Sequence, residues 1–210
     1  MTTPTRLPDD PHGELQQQRW AQADRFALTA ALFEGSLAVA AVVLGWALGI
    51  DPFESYRWNA AAAFWGVAAI VPLLGLLAWS MRSAWRPLRS LRRFFDISIV
   101  PLFQPLSIVQ LAVLSILAGV GEELLFRGIV QAGICHGIGG MVGTAVGLIA
   151  AAVLFGLAHA LSPAYFVLAT VIGFYLGGIW LWTDNLLTPI IAHAGYDFLA
   201  LCYLARFRRE

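Results

Sequence analysis

The sequence predicts an all-α, polytopic membrane protein: a helix bundle with about six transmembrane helices. Two observations carry this. Of 210 residues, 59% are hydrophobic and only 12% are charged, about half the charge of an ordinary soluble domain, and the mean hydropathy is +0.73. The apolar residues also fall into runs of about 20, the length a helix needs to cross the hydrocarbon core. This composition excludes a disordered chain, a basic nucleic-acid-binding domain and a disulfide-stapled secreted module. The 13 positive charges are all arginine, so no lysine is present for Schiff-base chemistry. Cys135 and Cys202 have no metal-type spacing and read as packing residues.

Six runs qualify as spans, over about 28–50, 58–81, 107–134, 142–160, 164–182 and 186–205. Breaks separate them at Asp51-Pro52, the arginines after Met81, Gly137 to Gly140, Ser162-Pro163 and Asp184-Asn185. Within lipid every backbone polar group must be satisfied inside the segment, so spans of this length are helices. The stretch before the first run is polar and of mixed sign, with Arg6, Asp9, Asp10, Glu14, Arg19, Asp24 and Arg25. It lacks the short positive start and 7–15-residue apolar core of a signal peptide, and the first run reads as a retained span. The expected division is a polar segment (1–26), two N-terminal spans with an Arg-rich segment (27–100) and a C-terminal core (101–206).

Arginine sets the expected orientation. Arg82, Arg86, Arg89, Arg92 and Arg93 lie between spans two and three, and Arg206, Arg208 and Arg209 follow span six. Both clusters fall on one side of a six-span protein. The expectation is a multi-pass protein of the plasma (inner) membrane with both termini cytoplasmic. Arg82, Arg86, Arg89 and Arg93 are spaced as one helical face, with Trp85, Leu88, Leu91 and Phe95 opposite. Two readings stand for this stretch. One is an amphipathic helix on the inner leaflet, kinked or started late by Pro87; the other is a plain positive-inside loop.

Ionisable residues inside the spans mark the candidate site. Span three carries Glu122, Glu123 and Arg127, each costing about 2.5–3.5 kcal/mol at mid-membrane against about 0.3–0.6 returned per Leu or Ile. Such residues are functional candidates. Glu123 and Arg127 are four apart and can pair. Glu122 points about 100° away from Glu123 around the helix and is left to face a polar cavity. The competing reading is a purely structural polar knot between helices. His159 ends span four, where it is either interfacial or functional. His193 and Asp197 share a face of span six. Helical rise places Glu122, His159, His193 and Asp197 roughly 10–26 Å deep, so tilt can bring them together, and a Glu and a His flanking one water suit general acid–base hydrolysis. Glu34 lies early in span one and reads as snorkelling or pairing with Arg25. His12 and His136 read as inert. Asp184-Asn185 read as a turn before a helix that starts near Thr188-Pro189.

At these residues the chain resembles the CPBP (CAAX protease and bacteriocin-processing, or Abi) family of intramembrane proteases. Its EExxxR motif falls on Glu122, Glu123 and Arg127, its FxxxH motif on Phe155 and His159, and its HxxxN/D motif on His193 and Asp197. The run Gly173-Phe174-Tyr175-Leu176-Gly177 is also similar. The resemblance covers roughly 105–205. It implies an endopeptidase, similar to the type II CAAX prenyl endopeptidases, that cuts a membrane-associated peptide or protein. In that branch, roles of water activation fall on Glu122 and His159, and oxyanion stabilisation on His193 and Asp197. Asp197 departs from that branch, which carries Asn. An ionised Asp would repel an oxyanion, so Asp197 either carries a proton or orients His193. The expectation is metal-free catalysis without cofactor; the alternative is one Zn ion held by the two His and two carboxylates, although HExxH is absent. No nucleic-acid partner is expected, and the sequence does not set the oligomeric state. Two competing functions are a non-proteolytic relative acting as an immunity or scaffold protein, and a proton-coupled transporter; the latter is disfavoured by the lack of inverted repeats or broken-helix pairs.

Overall fold

A computed structural model describes residues 11–207. Residues 1–10 and 208–210, and with them Arg6, Asp9, Asp10, Arg208 and Arg209, lie outside the described residues, as do the side chains of His12, Glu14 and Arg19. The described chain is helical throughout, without strands: α1 (Pro11–Leu48), α2 (Ala60–Arg82), α3 (Arg86–Phe94), α4 (Val100–Phe103), α5 (Ile108–Glu123), α6 (Ala132–Ile138), α7 (Gly140–Ala158), α8 (Pro163–Thr183) and α9 (Leu187–Cys202). A wider, π-type stretch, Leu124–Gln131, joins α5 to α6 without a break. Six segments are long and apolar enough to cross a membrane: Ala21–Leu48, Ala60–Arg82, Ile108–Ile138, Gly140–Ala158, Pro163–Thr183 and Leu187–Arg206. The protein is a multi-pass membrane protein, and the spans lie within a few residues of the apolar runs.

Local chemistry fixes the helix ends. Asn59 caps α2 by accepting the Ala62 N–H at 2.8 Å. Ser107 and Gln110 form a reciprocal capping box at the start of α5, satisfying two backbone donors that a helix start leaves open. Ser162 caps α8 and Pro163 opens it, where a missing N–H costs nothing. The Asp184-Asn185 turn does more than reverse the chain. Asp184 takes the left-handed conformation, φ 46°. Asn185 accepts the Arg57 N–H at 3.1 Å and donates to the Arg57 carbonyl at 2.8 Å, and Trp180 donates to the Ser55 hydroxyl at 2.9 Å. The loop before α2 is thereby tied to the α8–α9 corner.

The Arg-rich stretch is a short amphipathic helix, with one correction. Leu88 and Leu91 are buried while Arg86, Arg89 and Arg93 are exposed. Arg82 does not share their face: it ends α2, and Pro87 starts α3 late. Trp85 is likewise exposed, because it precedes the helix. Arg92 donates to the Ser80 carbonyl at 2.5 Å, pinning α3 to the end of α2.

Glycines let the helices close. A Cβ on Gly119 would meet Ala194 at 2.8 Å, which holds α5 against α9, and one on Gly121 would lie 2.5 Å from the Glu34 carbonyl, which holds α1 against α5. Small residues serve this purpose where no hydrophobic force drives helices together in lipid.

Candidate active site

Span three delivers its three charges at the end of α5 and in the wide turn that follows. Arg127, Glu123 and Gln131 are wholly buried. Arg127 donates to Glu123 Oε1 at 2.9 Å and to the Gly173 carbonyl at 2.8 Å; Gln131 donates to the Gly177 carbonyl at 3.2 Å. Gly177 admits Gln131 because it carries no side chain, since a Cβ there would stand 2.6 Å from Gln131 Oε1, while Gly173 lets α8 close on Ala152 of α7, where a Cβ would stand 3.1 Å away. This gives the glycine pair of α8 its physical role. Gln131 drew no notice in the sequence; its polar character inside an apolar run was the available signal.

Glu123 takes a second bond. His193, from α9, places Nδ1 2.8 Å from the same Oε1. A carboxylate only accepts, so Nδ1 carries the proton. The other ring nitrogen, Nε2, lies 3.4 Å from Asp197 Oδ2. The nearer partner of His193 is therefore Glu123, with Asp197 at the other ring nitrogen. The two residues are indeed on one face of α9, as their spacing of four requires.

Glu122 diverges from this group. Its side chain is 9% exposed and its Oε2 lies 3.7 Å from His159 Nε2. His159 is not in the last turn of a span. It caps α7 at φ −103°, just beyond the helix. Its Nδ1 bonds the Phe155 carbonyl at 2.9 Å, which fixes the proton on Nδ1 because a carbonyl only accepts. The Phe155 ring stacks on the His159 ring at 4.6 Å, meets the His193 ring edge at 5.7 Å and lies under the Arg127 guanidinium at 4.9 Å. One aromatic thus spaces the two histidines and the arginine, a physical reason for a Phe four residues before His159. Burial holds the His159 imidazole below its ordinary value, against the opposing pull of its bond to Phe155, so the ring is neutral and Nε2 is an acceptor.

A cavity of about 300 Å³ opens beside these groups. Glu122, His159 and Asp197 line it, together with mostly apolar residues such as Leu76, Leu91 and Ile172. His193 is buried behind that wall, 4% exposed. Glu34 lines the same cavity. This corrects its reading as a snorkelling residue: its Oε2 is buried without a hydrogen-bond partner, and it makes no ion pair with Arg25. The signal was present in the sequence, since no residue of opposite charge stands three or four places from Glu34. His136 sits 3.9 Å from Glu54 on the surface, both largely exposed.

Among the described residues, no group of three or more His, Cys, Asp or Glu side chains is placed to hold a metal ion. Glu123 and Nδ1 of His193 are turned toward each other, and Nδ1 of His159 is turned to a carbonyl.

Residues 104–199 match the family model described as type II CAAX prenyl endopeptidase Rce1-like. Among curated proteins, the chain is 33% identical over 106 residues to the uncharacterized protein YpbD of Bacillus subtilis (strain 168), covering 49% of this chain and 50% of that one. The chain therefore spans half the length of the curated relative it matches. No solved structure matches it significantly. The matched segment contains Glu122, Glu123, Arg127, Phe155, His159, His193 and Asp197, and leaves Glu34 outside it. Residues 104–199 are thus similar to the type II CAAX prenyl endopeptidase Rce1-like family.

Proposed function

We propose that this protein is an intramembrane endopeptidase that hydrolyses a peptide bond of a membrane-associated substrate with water activated by Glu122 and His159. The observation that carries the reading is the 3.7 Å gap between Glu122 Oε2 and His159 Nε2 at the cavity wall. That gap is too wide for a direct hydrogen bond. His159 Nε2 is an acceptor, because the His159 proton is held on Nδ1 by Phe155, and Glu122 is the second acceptor in its ionised form. A water oxygen about 2.8 Å from each would donate one hydrogen to each, at an included angle of about 80°. Its lone pairs then point into the cavity, where a substrate carbonyl would lie.

In the proposed sequence, Glu122 takes a proton as water adds to the carbonyl carbon. It then returns that proton to the departing amine, so one carboxyl serves as base and then acid. His159 keeps the water oriented and accepts its second hydrogen. Asp197 and His193 hold the opposite polar wall. Both ring nitrogens of His193 face carboxylates, so a proton lies between Nε2 and Asp197 Oδ2. That proton would offset charge on the carbonyl oxygen, as a positioned donor does in an oxyanion hole. No step requires a metal or a cofactor. Arg127 and Glu123 act as positioning residues through His193.

The family match supports, as the substrate class, a CAAX-type peptide prenylated on its cysteine and reaching the cavity from the bilayer. The Arg-rich ends are read as cytoplasmic, and the membrane as the plasma (inner) membrane. The test is cleavage of a fluorogenic prenylated CAAX peptide, and of native membrane proteins, by the purified protein in liposomes. Turnover by the wild type and its loss in Glu122→Gln supports the reading. Absence of any cleavage above the Glu122→Gln background would favour a scaffold or immunity role instead.

A further inference from the structure

We infer that Glu34 is a substrate-binding residue of the cavity, its carboxylate accepting a hydrogen bond from a backbone N–H of the bound peptide. This rests on the endopeptidase reading of the site, and adds a residue from α1, outside the matched segment.

Three independent features lead to it. First, Glu34 and Glu122 line one cavity from two different helices, and each has a buried carboxylate oxygen, Oε2, with no hydrogen-bond partner. The Glu122 side chain is itself 9% exposed. Leaving a buried acceptor unsatisfied is costly, and more so for a charged group. A partner that arrives with the ligand explains its retention where an apolar residue would serve packing better.

Second, the register between the two carboxyls is rigid. The Glu34 carbonyl packs against Gly121, the residue before Glu122, so closely that a Cβ there would stand 2.5 Å away, with the Leu37 Cβ at 3.2 Å. The α1 backbone therefore rests directly on α5 at the catalytic position. The Glu34 backbone is thereby held one residue away from Glu122 on the facing helix.

Third, the cavity needs acceptors. A peptide entering a largely apolar chamber brings backbone N–H groups that must find partners once water is excluded. Arg92, the arginine of the lining, can only donate. The hydroxyls of Ser80 and Ser115 donate to the carbonyls of Leu77 and Leu111 within their own helices and offer only neutral oxygen lone pairs, weaker acceptors than a carboxylate. Glu34 Oε2 is an acceptor on the α1 side without an internal partner.

The test uses the full-length protein carrying Glu122→Gln, so that binding is read without turnover. The probes are the prenylated CAAX peptide and a set of its copies, each N-methylated at one backbone amide. Affinity is measured by fluorescence anisotropy in nanodiscs. Adding Glu34→Ala should weaken binding on the order of 10-fold, the range for loss of a hydrogen bond to a charged group. One N-methyl copy should bind weakly to the Glu34 protein and show no extra loss with Glu34→Ala. Glu34→Gln, which keeps an acceptor oxygen and the shape, should stay within a few-fold and guards against misfolding of the Ala variant. If Glu34→Ala binds every peptide as tightly as its parent, or if the N-methyl penalties are the same in both, the inference is overturned. That outcome leaves the endopeptidase reading standing. Loss of the endopeptidase reading would appear separately, as equal cleavage by wild type and Glu122→Gln.

Discussion

His193 donates its Nδ1 proton to Glu123 Oε1 across 2.8 Å, joining residues 70 positions apart. The bond divides the two adjacent glutamates between separate tasks. Glu123 is consumed by Arg127 and His193 in a wholly buried network, while Glu122 turns about 100° around the helix to the cavity.

That network predicts a stability effect from Arg127. Arg127→Ala leaves Glu123 with His193 as its one remaining partner of the two, and breaking a buried pair costs about 3–5 kcal/mol. Membrane abundance should fall, and fall more than the specific activity of what remains. The double change Glu123→Gln with Arg127→Gln should restore abundance, because no unpaired charge is left. Quantitative immunoblotting of membrane fractions reads both. Equal levels of wild type and Arg127→Ala would contradict the network.

His159 gives a prediction in pH. Burial is the larger influence and lowers its proton affinity below the ordinary imidazole value of 6.5. The neutral ring, with Nε2 free to accept from water, is therefore present at pH 7 and is lost as pH falls through the lowered value. In ¹⁵N spectra of labelled protein, with the His159 signals assigned by substitution, the Nδ1–H tautomer should persist at pH 7. Conversion to imidazolium should appear only below pH 6.5. A His159 already charged at pH 7 would remove it as a water acceptor.

How far all this was legible in the residues differs by level. The spans were readable because lipid imposes both length and apolarity, and Ser162-Pro163 or Gly139-Gly140 mark their ends in ordinary helix chemistry. The pairing of Glu123 with Arg127 was readable because four residues bring two side chains together on one helix. Contacts between helices were not. Nothing in the order of residues says that His193 meets Glu123, that Gly173 and Gly177 present carbonyls to Arg127 and Gln131, or that Glu34 reaches the same cavity as Glu122. Periodicity also failed across Arg82 to Arg93, where a continuous arginine spacing hid a break at Ser83 to Trp85 between two helices.

Asp197 and the metal question are tested together. If water is activated by Glu122 and His159 without a metal, Asp197→Asn should stay active within about 10-fold, because an amide can donate to a developing oxyanion where an ionised carboxylate cannot. The purified protein should contain no stoichiometric transition metal, and chelation should leave turnover unchanged. Near-unity Zn²⁺ by elemental analysis, with an inactive Asp197→Asn variant, would move the mechanism to a metalloprotease.

The most direct measurement is peptide-bond cleavage by wild type and Glu122→Gln, side by side in liposomes, with the prenylated CAAX peptide and with membrane proteins whose new termini are read by mass spectrometry. Gln keeps the size of Glu and an acceptor oxygen but cannot take the proton of the attacking water. Losing a general base costs about 10²–10⁴ in rate, so the variant should be folded, equally abundant and at least about 100-fold slower. Cleavage by Glu122→Gln at the wild-type rate, or no new termini with either protein, would contradict the account.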